Sequence, residues 1–334
     1  MSESAAVMRN CTISIVVISF NTRQMTLDCL RTLKTETAGS DAEIILVDNA
    51  STDDSVSAVR AEFPEVKVIA NDANRGFGAG NNQGMKAAGG EFFFLINTDA
   101  FPKPGAIQAM LKCMLDHPRA GVVGPRLLYG DGKLQQSCFR FPSPAFAWLE
   151  NLWLTPLMGD YRHWPHDRLR EVDFAIGACL LVRRKVVEQV GGFDEEFFMY
   201  SEEADWQKRI WQAGWTVLFE PNAVVTHLAG GSGAKDRPRI NAYFFDSLDY
   251  YELKHHGVLG LMLLRLAMLI GCSLRAILWS LMCLVPGRRQ TAWAKLKMHA
   301  WLIRRQSADW RILRKTRNQA NMSATTMGWG QGIL

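Results

Sequence analysis

Short apolar runs, each ending in polar residues that are mostly Asn or Asp, recur four times before residue 100. Ile15–Ser19 runs into Phe20-Asn21, and Glu43–Val47 into Asp48-Asn49-Ala50-Ser51-Thr52-Asp53. Val66–Ala70 runs into Asn71 through Gly78, and Phe92–Ile96 into Asn97-Thr98-Asp99. The runs are too short for helices and rich in β-branched or aromatic residues, as buried parallel strands are. Between them the spacing of apolar residues turns helical. Met25, Leu27, Cys29, Leu30 and Leu33 give residues 22–33 one apolar face, and further helices are predicted over 53–63, 78–88 and 104–115. The last of these is expected to open on Pro104, which suits a first helical turn. Strand and helix alternating four times predict an α/β fold, doubly wound, with a mostly parallel sheet and flanking helices. In such a sheet the strand carboxyl ends meet in one crevice, where ligands bind.

The pattern then changes. Residues 137–166 hold seven aromatic residues among several prolines, which fits neither a sheet strand nor one clean helix. This segment reads equally as an aromatic wall over a site or as a packing excursion. Residues 172–182 are strand-like, 184–190 a short helix, 191–194 a turn, and 202–213 a helix closed by Gly214. Short strands follow over 215–219 and 223–227, then long helical stretches over 258–285 and 291–317.

Charge divides the chain more sharply than its net +5 shows. Residues 1–253 carry 25 Lys and Arg against 32 Asp and Glu, whereas residues 254–334 carry 13 against one. A basic tail suits nucleic acid or an anionic membrane. Here it begins with an apolar run from Val258 to Val285, interrupted only by Arg265 and Arg275, so a membrane is expected and nucleic acid is not. A helix of that length could span a bilayer. A helix lying in the interface is preferred to a span or a buried helix pair, with Arg265, Arg275, Arg288 and Arg289 reaching toward headgroups. The seven cysteines lack Cys-x-x-Cys spacing and read as buried free thiols of a reducing compartment. Residues 1–10 lack the apolar core of a leader peptide, so a cytoplasmic location is expected.

Several constellations carry candidate chemistry. Asp99, at a strand end among small polar groups, suits a hard divalent cation that also bridges phosphate oxygens, although an aspartate there, taken alone, more often caps a helix or serves a turn. The glycine-rich stretch from Asn74 to Gly84 lies between strand and helix, where backbone can approach a phosphate or a base. It is neither a dinucleotide fingerprint, since positions 81 and 83 are Asn and Gln, nor a Walker loop. Glu202, Glu203 and Asp205 crowd a predicted helix start beside aromatic residues. The helix dipole accounts for one or two acids there, and a carboxylate held against apolar walls can act as a general base. His227 ends an apolar strand before a Gly/Ser segment that could close over a ligand.

These motifs resemble glycosyltransferase family 2 of the GT-A fold, in its rhamnosyltransferase-like branch. The resemblance covers residues 12–232. It rests on Val-Val-Ile-Ser-Phe-Asn at 16–21, Val-Asp-Asn-Ala-Ser-Thr-Asp at 47–53, and Asn-Arg-Gly-Phe-Gly-Ala-Gly-Asn-Asn at 74–82. Leu-Ile-Asn-Thr-Asp at 95–99, Gly-Ala-Cys-Leu-Leu-Val-Arg-Arg at 177–184, Gly-Gly-Phe-Asp-Glu-Glu-Phe-Phe-Met-Tyr at 191–200 and His-x-x-Gly-Gly-Ser at 227–232 continue it in the family's order.

The resemblance implies a GT-A domain over residues 1–253, with a nucleotide-sugar half at 12–124 and an acceptor and catalytic half at 125–235, before a membrane-associating tail at 254–334. Phe20, Asn21, Asp48, Asn49, Ser51 and Asp53 would hold the base and ribose of a nucleotide-sugar donor. Asn74, Gly76, Phe77 and Asn82 would line the nucleotide or sugar, and Asn97, Thr98 and Asp99 would complete the donor site. Asp99 matches the last acid of the family's metal motif, whose first acid is Asn97 here, so Mg2+ or Mn2+ would lean on Asp99 and His227. Glu203 takes the catalytic-base position, with Asp205 as the other candidate.

The implied reaction is an inverting transfer of one sugar, rhamnose from dTDP-rhamnose by family weight, to a saccharide or lipid-linked oligosaccharide. It would take place at the cytoplasmic face of the cell membrane, in surface-polysaccharide assembly. The alternatives are a sugar nucleotidyltransferase, which would carry a basic Gly-rich loop where this chain has Phe20-Asn21-Thr22-Arg23, or a non-catalytic membrane-tethered binding protein of the same fold.

Overall fold

The computed structural model describes residues 13–158, 163–228 and 237–308. The first four strands are β1 (Ile13–Ser19), β2 (Ala42–Asp48), β3 (Lys67–Ala70) and β4 (Phe92–Asn97), all parallel. Helices α1 (Arg23–Glu36), α2 (Ser55–Glu62) and α3 (Phe77–Ala87) connect them. Side-chain alternation decides which layer each residue joins. Ile13, Ile15 and Val17 face the core that holds Leu27, Leu30 and Leu33 of α1, while Val16 faces the opposite core with Met85 of α3.

After β4 come β5 (Ala100–Pro102), α4 (Ala106–Asp116), β6 (Ala120–Leu128), β7 (Leu134–Gln135) and β8 (Cys138–Phe139). Then follow α5 (Pro144–Asn151), β9 (Arg170–Glu171), β10 (Phe174–Ala175), β11 (Cys179–Arg183), α6 (Arg184–Val190), α7 (Glu202–Gln212) and β12 (Thr216–His227). The main sheet runs β3-β2-β1-β4-β11-β6-β12-β5, with β11 antiparallel to both its neighbours and β12 parallel to β6.

Two features depart from the expectations. Strand β6 lies in the middle of the sheet, although its sequence, Ala-Gly-Val-Val-Gly-Pro-Arg-Leu-Leu, is broken by residues that strands avoid. Gly124 is there for space: a Cβ would meet the Ala175 Cβ at 2.4 Å. The two expected strands at 215–219 and 223–227 are one strand, β12, whose register shifts between Glu220 and Val224.

The chain divides into two units, Met1–Phe141 with Asp160–Leu248, and Pro142–Gly159 with Asp249–Leu334. The second unit takes in α5, which begins with Ser143 Oγ accepting from Phe146 N. It also holds most of the long helix α8 (Arg237–Met282) and α9 (Arg289–Ala308). Helix α8 breaks its geometry at Gly257, where φ is 68°. By length and composition, its stretch Ile240–Met282 could cross a membrane.

Of the four arginines expected to reach outward, Arg288 and Arg289 are exposed, whereas Arg265 and Arg275 turn to partners within the protein. Arg265 is buried and donates to Asp249 at 2.9 Å, and Arg305 reaches the same carboxylate oxygen at 3.0 Å. Arg275 caps the end of α5, donating to the carbonyls of Glu150 at 3.0 Å and Asn151 at 3.2 Å, and stacks over Trp153. A buried guanidinium needs acceptors, and these carboxylate and carbonyl oxygens supply them. Leu261, Leu264, Ala267 and Met268 are buried, whereas Leu259, Met262, Leu266, Ile277, Leu278 and Leu281 are exposed. The expected helix beyond residue 308 lies outside the described residues.

Candidate active site

The strand ends fall level. In register, Ile18 pairs with Asn97, Ser19 with Asp48, and Asp48 with Ala70. The polar residues after β1, β2, β3 and β4 therefore share one edge of the sheet.

Hydrogen bonds knit the first two ends together. Asn21, in the left-handed region at φ 52°, donates its N–H to Ser51 Oγ at 2.8 Å and accepts from Thr52 N at 2.7 Å. Asp48 is buried. Its Oδ1 accepts from Ser51 N, while its Oδ2 is buried with no donor among the described residues. Asn49 ties this end to the next loop, donating to Gly76 O at 3.1 Å and accepting from Asn71 at 3.0 Å. Asn74 accepts from Gly76 N, and the exposed Phe20 stands beside Asn21.

Two of the expected donor residues are occupied by the fold itself. Asp53 accepts from Arg23 N and from Ser55, at the starts of α1 and α2. Burial works against its charge, and these hydrogen bonds outweigh it and hold the carboxyl below its ordinary range. Asn82 pins the 191–195 turn, donating to Phe193 O and Glu195 and accepting from Phe193 N, each at 2.9 Å.

Strand pairing brings Asp99 and His227 together. Ala100 pairs with His227, placing His227 Nε2 3.3 Å from Asp99 Oδ1. On the other side of the ring, His227 Nδ1 lies 3.0 Å from Gln135 Oε1. Thr98 shares a 3.2 Å hydroxyl contact with Thr22, and Asn97 N donates to Ala178 O at 3.0 Å. Among the described residues no three His, Cys, Asp or Glu form a metal-ligating group. A carboxylate oxygen and an imidazole nitrogen side by side suit a divalent cation that takes its other ligands from phosphate and water. The Gly/Ser segment after Leu228 lies outside the described residues.

The acids of α7 separate by environment. Asp205 is fully buried and paired with Arg209 at 3.0 Å, whereas Glu203 is a half-buried residue whose Oε2 is enclosed. Burial pushes the Glu203 carboxyl up, opposed by backbone hydrogen bonds from its own N–H and from Gly177 and Ala204. Burial, and then the charge of Glu203, push Glu202 well above the ordinary range. A Cβ on Gly177 would stand 3.7 Å from the Glu203 Cβ, and the next residue, Ala178, accepts from Asn97 N at the end of β4. The placement is supported by Gln207, buried one turn after Glu203, which brackets Ala175 with hydrogen bonds of 2.7 and 2.9 Å. Gln207 was findable, four residues from Glu203 on one helix face. Gln135 was not, since only the β6–β7 pairing brings it to His227.

Comparison with known proteins places the chain in a family. The model of glycosyl transferase family 2 matches residues 14–191. An N-acetylglucosaminyl-diphospho-decaprenol L-rhamnosyltransferase of Mycobacterium tuberculosis is 30% identical over 275 residues, covering 73% of this chain and 89% of that protein. A low-salt glycan biosynthesis hexosyltransferase of Haloferax volcanii is 26% identical over 200 residues, covering 58% of this chain and 59% of its own length. Among solved structures, a mannosyltransferase of Pyrobaculum calidifontis in complex with GDP-Man and Mn2+ superposes with a TM-score of 0.56. It is 17% identical, over 87% of this chain and 84% of that one, and shares the fold. On the family match and the rhamnosyltransferase relative together, the chain belongs to glycosyl transferase family 2, as a GT-A glycosyltransferase of the rhamnosyltransferase-like branch.

Proposed function

We propose that this chain transfers one rhamnose, from dTDP-rhamnose, to a lipid-linked saccharide at the cytoplasmic membrane face, with inversion at the anomeric carbon, in building a surface polysaccharide. The observation that carries the reading is the Glu203 carboxyl, its Oε2 enclosed and its Cβ packed beside Gly177, together with the pairing of Asp99 and His227 at the strand ends. The name of the Mycobacterium tuberculosis relative supports the rhamnosyl donor and the lipid diphosphate acceptor. The exposed apolar face of α8 supports the membrane location.

In this reading Asp48 and Asn21 hold the base and ribose, and the backbone at Asn74–Phe77 lies against the sugar diphosphate. Glu203 takes the acceptor hydroxyl proton as that oxygen bonds to the anomeric carbon. The bond from the anomeric carbon to the diphosphate breaks on the opposite side, and the electron pair leaves with the nucleoside diphosphate. A raised carboxyl suits this role, because its proton affinity is nearer that of a hydroxyl under attack. Asp99 and His227 would hold Mg2+ or Mn2+, which supplies charge neutralisation for the leaving diphosphate. Asp205 and Arg209 stiffen the helix that carries the base.

The test is thermal stability with dTDP, UDP and GDP, each with and without Mn2+ or Mg2+. We expect dTDP to raise the melting temperature most, and metal to enlarge the rise. A larger response to UDP or GDP would overturn the donor assignment, and a response indifferent to metal would overturn the metal role.

A further inference from the structure

The residues just before Glu203 hold a conformation that costs energy. Tyr200 and Ser201 both lie in the left-handed region, at φ 72° and 64°. This region is unfavourable for a non-glycine residue, and such pairs persist only where neighbours over-determine them. The neighbours come from two directions. From the donor side, Phe77 N donates to Phe198 O at 3.0 Å. Gly76, at φ 87°, makes room for that carbonyl, since a Cβ there would meet it at 2.3 Å.

From the other side comes the start of α8, up to Leu248, which belongs to the first unit. Ser247, buried, donates its hydroxyl to Met199 O at 2.8 Å. The Tyr243 ring packs on Phe198 with centroids 4.6 Å apart, and Phe244 meets Tyr200 edge-on at 5.8 Å. Three contacts from one helix thus meet three successive residues of the turn.

We propose that Tyr243, Phe244 and Ser247 are positioning residues for transfer: the root of the C-terminal helix clamps the 198–201 turn and so sets where Glu203 stands. The proposal rests on Glu203 being the base. A displacement of about 1 Å in a reacting group can cost on the order of 100-fold in rate, so a clamp one turn away has leverage without touching substrate. The first turns of α8 are then part of the catalytic unit, and the apolar stretch available to a bilayer begins beyond Gly257.

The experiment compares the full chain with Ser247→Ala, Ser247→Thr, Tyr243→Ala and Glu203→Gln. Hydrogen exchange, which needs no substrate, is read first. Ser247→Ala and Tyr243→Ala should raise exchange across 198–205 about tenfold and leave the β1–β4 strands protected, and Ser247→Thr should restore it. Unchanged exchange at 198–205, or loss spread evenly through the unit, overturns the clamp. Transfer is then measured with the donor that the nucleotide panel selects, and with a synthetic polyprenyl-diphosphate N-acetylglucosamine as acceptor. Ser247→Ala and Tyr243→Ala should lower kcat at least tenfold with donor KM unchanged. A rise in donor KM with kcat retained would overturn the positioning role. If Glu203→Gln keeps transfer, the base assignment fails while the exchange result still judges the clamp.

Discussion

Glu203 combines two demands that pull against each other. Buried and raised, its carboxyl contributes stability that is fully present below the ordinary carboxylate range and is lost as pH rises through the shifted value. In the proposed role activity runs the other way, since a general base works only once deprotonated. Glu203→Gln keeps the shape, removes the buried charge and lets Glu202 fall back toward its ordinary range. We expect it to lose transfer by at least a hundredfold while raising the melting temperature at pH 8 by roughly 2–4 °C, about 1 kcal/mol for a domain of this size. The gain should shrink toward pH 5, and differential scanning calorimetry across that window checks it. A loss of stability independent of pH would mean that the carboxylate is favourably partnered in the folded protein.

At the scale of elements, what could be read from the chain depended on whether a strand's reasons lie within it. Strands β1 and β4 declare themselves, because Ile15–Ile18 and Phe92–Ile96 are continuous apolar runs in strands buried on both faces. Strand β6 does not, because Gly121 and Gly124 answer to Val186 and Ala175, residues distant in sequence. The site divides in the same way. Asp48, Asp99 and Glu203 follow local patterns, whereas the support of His227 by Gln135 and the occupation of Asn82 by the 191–195 turn require pairings that no window shows. The tightness of β6 gives a test: Gly124→Ala should cost about 1–3 kcal/mol through overpacking against Ala175. Chemical denaturation reads this as a lower midpoint, and an unchanged midpoint would show that β10 yields freely.

For the whole molecule, the proposed meeting with a membrane depends on which charges remain to meet it. Sequence alone assigns thirteen basic residues and one acid to positions 254–334. Arg265 and Arg305 are committed to the Asp249 carboxylate, and Arg275 to the carbonyls at the end of α5. These bonds make the tail less polyelectrolyte than its composition, while its outward apolar side chains are uncovered. Screening separates the two contributions, since the Debye length shrinks from about 10 Å at 0.1 M salt to about 3 Å at 1 M. Adsorption of the full chain to phosphatidylcholine vesicles should therefore survive 0.5 M NaCl, and addition of phosphatidylserine should strengthen it only at low ionic strength. Release by salt alone would reverse that order. If adsorption holds, salt washing leaves this protein in the membrane fraction and detergent removes it, a behaviour that its basic isoelectric point would not foretell.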